Sequence, residues 1–263
     1  MFELNAGELI SRTNLMERLI SITDESQDDV DISKDNRNIM LKTCDTLTEF
    51  IDGCGLKATN RAVSRLVGNL QKPEPLTYRE CKTFASDILL RMRDELELTK
   101  CIVIEPHRLQ FYEPERPLFG KVVMDHYPSA YFEIEEAGKC LALGRSTACV
   151  FHLMRILEVG IRAIASSLSI PDPSKPSEKN WGVILKRINE AVKGRQRWRR
   201  KADKIFYEEA VASLDSVKNP WRNATMHVEK TYTEEEAENI FYAVRAFMMK
   251  IASGIDENGK LVP

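Results

Sequence analysis

Apolar residues recur at intervals of three and four along most of the chain, and polar or proline-rich breaks cut this pattern into helix-sized pieces. Leu9, Leu15 and Leu19 share one helical face ahead of the acidic stretch Thr23-Asp24-Glu25-Ser26-Gln27-Asp28-Asp29, which reads as a solvated loop. Leu41, Cys44, Leu47 and Ile51 predict the next helix, and Gly53-Cys54-Gly55 stops it. After the break at Lys72-Pro73-Glu74-Pro75, Thr77-Tyr78-Arg79-Glu80 has the form of a capping box. Its Thr oxygen accepts from the third helical amide while the Glu carboxylate accepts from the Thr amide, so a helix to about Leu98 follows. Between Cys101 and Tyr112, Cys-Ile-Val-Ile, a Glu105-Pro106 break and Arg108-Leu-Gln-Phe-Tyr predict two short strands. Pro114, Pro117, Gly120 and Pro128 then crowd one interval, which places a boundary between residues 1–127 and 128–263.

The second part opens with the longest helical pattern, from Tyr131 to about Ser169. Leu143, Val150, Met154, Leu157, Ile161, Ile164 and Leu168 form its stripe, broadened by Ala148 and Phe151, until Pro171, Pro173 and Pro176 end it. A helix over Trp181–Val192, a basic stretch, and Phe206, Ala210, Leu214 and Val217 at helical spacing come next. Thr233-Glu234-Glu235-Glu236 is a second capping box, and Ile240, Val244, Phe247 and Ile251 give the last helix its apolar face. The expected fold class is therefore mainly all-α. It comprises an amino-terminal helical region with a short β-hairpin, followed by a helical bundle.

With 263 residues and 43% apolar content the chain can bury an ordinary core. Its formal charge of −2 comes from acids and bases that nearly cancel, so any attraction to nucleic acid must be local. No run of eighteen apolar residues occurs, and Met1-Phe2-Glu3-Leu4-Asn5 lacks the basic-then-apolar layout of a signal peptide, which predicts a cytoplasmic protein away from membranes. The six cysteines form no C-x-x-C pair, as expected where cysteine serves as a small apolar residue in a reducing compartment. No His, Cys and carboxylate cluster has metal-ligand spacing, and neither a Gly-rich phosphate loop nor a G-x-S-x-G elbow is present. Neither metal nor cofactor is expected.

Candidate chemistry lies between the last two helices, in Trp221-Arg222-Asn223-Ala224-Thr225-Met226-His227. Positions five apart on a helix are separated by about 140°, so a straight helix does not bring Arg222 and His227 onto one face. Pro220 predicts a kink or a helix end there, which would let both point into one cleft.

Arg222-Asn223-Ala224-Thr225-Met226-His227 resembles the Arg, polar residue, three variable residues and His that mark HEPN domains. Glu136-Ala137-Gly138-Lys139-Cys140-Leu141-Ala142-Leu143-Gly144-Arg145 and Thr147-Ala148-Cys149-Val150-Phe151-His152-Leu153-Met154-Arg155 resemble the long helix of bacterial members. The likeness covers roughly the second half of the chain. It implies a four-helix bundle that dimerises so that two motifs face a shared cleft, and, in active members, metal-free RNA cleavage with the 2′-hydroxyl as nucleophile. His227 suits proton transfer near neutral pH, Arg222 can offer forked donors to a phosphate, and Asn223 can orient the His or hold a phosphate oxygen. The resemblance further implies a toxin or phage-defence role, with the first part binding substrate, a trigger or a neutralising antitoxin-like partner.

Each feature also has a purely structural reading. Arg222 can pair with Asp215 while His227 caps the turn. Other HEPN-like domains bind nucleotide or RNA without cutting, or only hold a partner. In the basic stretch, Arg195, Arg197, Arg199, Arg200 and Lys201 surround Trp198, which suits phosphate neutralisation with base stacking; the alternative is a solvated loop whose Trp198 tucks onto the bundle. Arg145 and His152 share a helical face with Arg155 and Glu158 nearby; this cluster could support a cleft from behind, and the favoured reading is a satisfied polar patch or interhelix salt bridge. His107 and His126 lie in loop-like sequence and are assigned no role.

Overall fold

The computed structural model describes residues 28–100, 102–171, 181–195, 198, 200–225 and 231–262, with isolated positions before residue 28; for 181 and 215–225 it describes the backbone alone. Among the described residues β-structure is confined to two isolated bridges, Asp31–Thr77 and Ile255–Leu261, and the chain is mainly α-helical. It divides into two units between Ile102 and Val103, so the expected boundary after residue 127 lies inside the second unit.

The first unit holds α1 (Lys34–Gly53), α2 (Lys57–Leu70) and α3 (Tyr78–Glu97). Met40, Cys44, Leu47 and Ile51 of α1, Leu66 and Leu70 of α2, and Cys81, Ala85 and Ile88 of α3 are almost wholly buried in one core. Polar ends fix the frame around that core. Ser33 Oγ accepts from Asn36 N at 3.2 Å, and the Thr77 box is formed, with Thr77 N donating to Glu80 Oε2 at 2.8 Å. At the far end of α2, Arg37 of α1 donates to the carbonyls of Leu70 (3.0 Å), Lys72 (2.7 Å) and Glu74 (3.1 Å), meeting acceptors that a helix end would otherwise leave orphaned. Of the expected amino-terminal stripe only Leu15 is described, packed against this core, and Leu9 and Leu19 lie outside the described residues. Asp28 and Asp29, at the end of the acidic stretch, pair with Arg79.

The second unit opens with α4 (Pro106–Tyr112) where two strands were expected. Pro106 stands at the first helical position, where its missing N–H costs nothing, and Ile102 and Val103 are 75% and 88% exposed, so the apolar run is not a buried strand. After α5 (Lys121–His126) and a 3-10 turn (Pro128–Ala130) come α6 (Tyr131–Ala142), α7 (Ser146–Ser167), α8 (Trp181–Gly194), α9 (Lys201–Thr225) and α10 (Glu234–Ala252). The single helix expected over Tyr131–Ser169 is thus two. Gly144, at φ 66°, turns the chain between them in a left-handed conformation, and the space of its missing Cβ is bordered by Glu234 Oε1 at 3.1 Å. Within α7, Val150, Met154, Leu157, Ile161 and Ile164 are buried on one face, whereas Ala148 and Phe151 fall on the exposed face and do not broaden the stripe.

Helix α7 is central, packing on α6, α8, α9 and α10. Phe111 and Phe119 stack edge-on against Phe241 of α10 at 5.5 and 5.3 Å between ring centres, which draws residues 103–127 into the same core. Ile240, Val244, Phe247 and Ile251 are fully buried, and Thr233 forms the second capping box. Helix α9 runs through Pro220 as far as Thr225, so of the kink or helix end expected at Pro220 the end falls later.

Candidate functional site

Tyr207, Ala210, Val211 and Leu214 bury one face of α9 and thereby fix the axis along which the chain approaches the hexapeptide. Arg222 and Asn223 occupy the last turn of that helix, whereas His227 lies outside the described residues. Beyond it, Tyr232 is 6% exposed and its amide donates to Thr147 Oγ1 in the first turn of α7 at 3.1 Å. Thr233 N then donates to Glu236 Oε2 at 2.9 Å, and Glu234 forms an ion pair with Arg108. Chain leaving α9 therefore returns at the junction of α7 and α10, beside the α6–α7 turn.

The basic stretch departs from the stacking platform expected of it. Trp198 packs partly buried against the core and stacks on Tyr207, with ring centres 5.2 Å apart and planes 29° from parallel. The Arg195 guanidinium lies 4.9 Å from the Trp198 ring centre, and the indole Nε1 is buried without a hydrogen-bond partner. Tyr207 thus covers a ring that a base would need, and the tucked-in reading describes Trp198. Arg200 pairs with Asp203 at 2.9 Å, Lys201 is exposed at the start of α9, and Arg197 and Arg199 lie outside the described residues.

The long-helix histidine has a partner that sequence reasoning missed. Glu133 of α6, 7% exposed, accepts from His152 Nδ1 at 2.7 Å and from Arg155 Nε at 2.7 Å, one on each carboxylate oxygen. Arg145 and Glu158 take no part in this cluster; Glu158 pairs with Arg162 at 2.5 Å. The arrangement fixes the imidazole ring and joins α6 to α7, as a packing network does. His126 has a similar duty: its Nδ1 lies 2.8 Å from the Ala252 carbonyl, which only a protonated nitrogen can satisfy, and so ties α5 to the end of α10. His107 is exposed, 3.3 Å from Glu105.

Buried thiols are inert. Desolvation pushes Cys44 and Cys149 up to about 12 and Cys81 up to about 11, and no disulfide joins the described cysteines. Among the described residues no group of three or more His, Cys, Asp or Glu is placed to hold a metal ion, and no helix is long and apolar enough to cross a membrane. Comparison of the chain with protein-family models, curated proteins and solved structures finds no match.

Proposed function

We propose that the protein is a metal-independent endoribonuclease of the HEPN type, acting as a homodimer in which Arg222, Asn223 and His227 of two copies face one cleft. One observation carries this reading: Arg222–Thr225 close the long helix α9, and the rest of the hexapeptide falls in sequence between that end and the Thr233 cap of α10, in a mainly helical unit. In the proposed reaction the 2′-hydroxyl attacks the adjacent phosphorus. Its O–P bond forms as the bond to the 5′-oxygen breaks, leaving a cyclic phosphate and a free 5′-hydroxyl. His227 takes the proton of the nucleophile or delivers one to the leaving oxygen, a contribution of roughly two to four powers of ten. Arg222 neutralises charge growing on the phosphate. Because one chain supplies one such imidazole, the second copy completes the acid/base pair. The nucleophile confines cleavage to RNA. A toxin or defence effector is the biological role that fits, with the first unit meeting a trigger or a neutralising protein.

The test is incubation of the purified chain with total RNA in EDTA, beside Arg222→Ala and His227→Ala, with its mass in solution measured in parallel. Cleavage by a dimer, lost in both variants, is the expected result. RNA or nucleotide binding without cleavage would replace the enzyme with a binding module, and inactivity in both assays would leave a scaffold.

A further inference from the structure

The first unit carries a groove of about 800 Å³ that the nuclease reading does not use. Its wall is the exposed face of α2, where Lys57, Arg61 and Arg65 follow one another at intervals of four, and Arg91 of α3 faces it. Asn60 and Ser64 add a side-chain amide and a hydroxyl. Arg65 and Arg91 share a single carboxylate, Asp87, at 3.2 and 2.9 Å, so two cations meet one anion. Among the described residues no ion pair is found for Lys57 or Arg61, in contrast to Arg65 and Arg91. Two further carboxylates nearby keep their charge but are held by neutral donors: Asp52 by the Asn60 amide, and Glu95 by Ala58 N, Thr59 N and Thr59 Oγ1 at the start of α2, from where it also acts on Arg91. Asp94, which also acts on Arg91, is exposed.

Like charges four apart on a helix repel one another, and here two such pairs stand in series. An anion lying along the row would relieve that repulsion. We propose that this groove binds the phosphodiester backbone of a single-stranded nucleic acid, independently of any cleavage by the second unit. Three features select that ligand. The row from Lys57 to Arg65 rises about 12 Å along the helix, more than one phosphate can span. Guanidinium groups pair with phosphate oxygens through two parallel donors, and three of the four cations are arginines. Ala58 is the only apolar residue in the lining, so the groove offers neither an aromatic platform for a base nor the apolar centre of a protein interface. Recognition therefore runs through the backbone and is blind to base sequence.

The experiment measures binding of labelled fifteen-nucleotide strands of DNA and of 2′-O-methyl RNA to the full chain across a salt series. Neither probe has a free 2′-hydroxyl, so cleavage cannot intervene. The expected result is comparable affinity for both strands, weakened at least tenfold in Lys57→Gln/Arg61→Gln, with the slope of log K against log salt shallower by about 1.4 for the two charges removed. Ser64→Glu, which places an acid in the groove without touching a cation, should weaken binding as well. Unchanged affinity and slope in both variants would overturn the proposal. So would displacement of the strand by polyglutamate or by inorganic phosphate at matched charge, which would assign the groove to an acidic protein or to a lone anion.

Discussion

Glu133 and His152, 19 residues apart in sequence, meet at 2.7 Å. In one unbroken helix the same residues would lie about 28 Å apart, at about 1.5 Å per residue. The turn at Gly144 folds α6 back on α7 and creates the contact, and Arg155 completes it. Glu133→Ala should leave His152 without its partner, the more exposed Arg155 turning to water, and lower the unfolding free energy by about 1 kcal/mol in urea titration. A double-mutant cycle with His152→Ala should return a coupling of at least about 0.5 kcal/mol. Strict additivity of the two changes would mean that the contact contributes nothing.

Two glycines in helices should respond in opposite directions to alanine. At Gly68 nothing lies within 4 Å of an added Cβ, so Gly68→Ala should gain up to about 1 kcal/mol from helix propensity. At Gly160 the same atom would sit 2.6 Å from Phe247 Cε1 and 2.9 Å from Ile251 Cδ1, both on fully buried side chains. Overpacking there outweighs the propensity gain, with an expected loss of about 1–3 kcal/mol. Paired thermal melts decide the matter, and a stabilised Gly160→Ala would contradict the close approach of α7 and α10.

Acid stability should depend on Glu95. Partial burial pushes its carboxyl up, but hydrogen bonds from the Ala58 amide and from the Thr59 hydroxyl and amide outweigh this and hold it below the ordinary glutamate value. A depressed folded-state value means stability that is fully present above the unfolded value, about pH 4.3, and lost as pH falls through the folded one. Glu95→Gln should therefore lower stability at pH 7 by about 1 kcal/mol, the scale of a lost N-cap, and flatten the decline below pH 4. Parallel wild-type and variant curves from pH 7 to pH 3 would refute this.

Trp198 should behave as a packing residue. Trp198→Ala removes its stack on Tyr207 and should cost about 2 kcal/mol. Trp198→Phe keeps an aromatic ring and removes an unpartnered buried donor, so it should cost much less. Equal losses in chemical denaturation would show that the ring is not what packs.

What the sequence made legible was mostly local. The boxes at Thr77 and Thr233 could be read because donor and acceptor lie three residues apart. The stripe of α10 could be read because one buried face imposes its period. The break before α7 was hidden because Leu143 and Val150, on either side of Gly144, keep the seven-residue spacing of one helix, and α4 because Pro106 resembles a breaker when it is a helix start. The membership of residues 103–127 depended on Phe111 and Phe119 reaching Phe241, a contact that no short window contains. The Arg222 motif was visible as a pattern of residue types, whereas the Glu133 partnership required the turn that joins α6 and α7. In the basic stretch, composition suggested a platform, but the indole found a tyrosine first.

The triple contact of Arg37 bears on the order in which the first unit assembles. Three carbonyls at and after the end of α2 depend on a guanidinium that lies 33 or more positions upstream. That corner can close only when α1 is docked, so its opening is expected to accompany the undocking of the start of α1. In native-state amide exchange, the first turns of α1 and the connector after Leu70 should lose protection together. Arg37→Lys, which puts a point donor in place of a planar fork, should uncouple them.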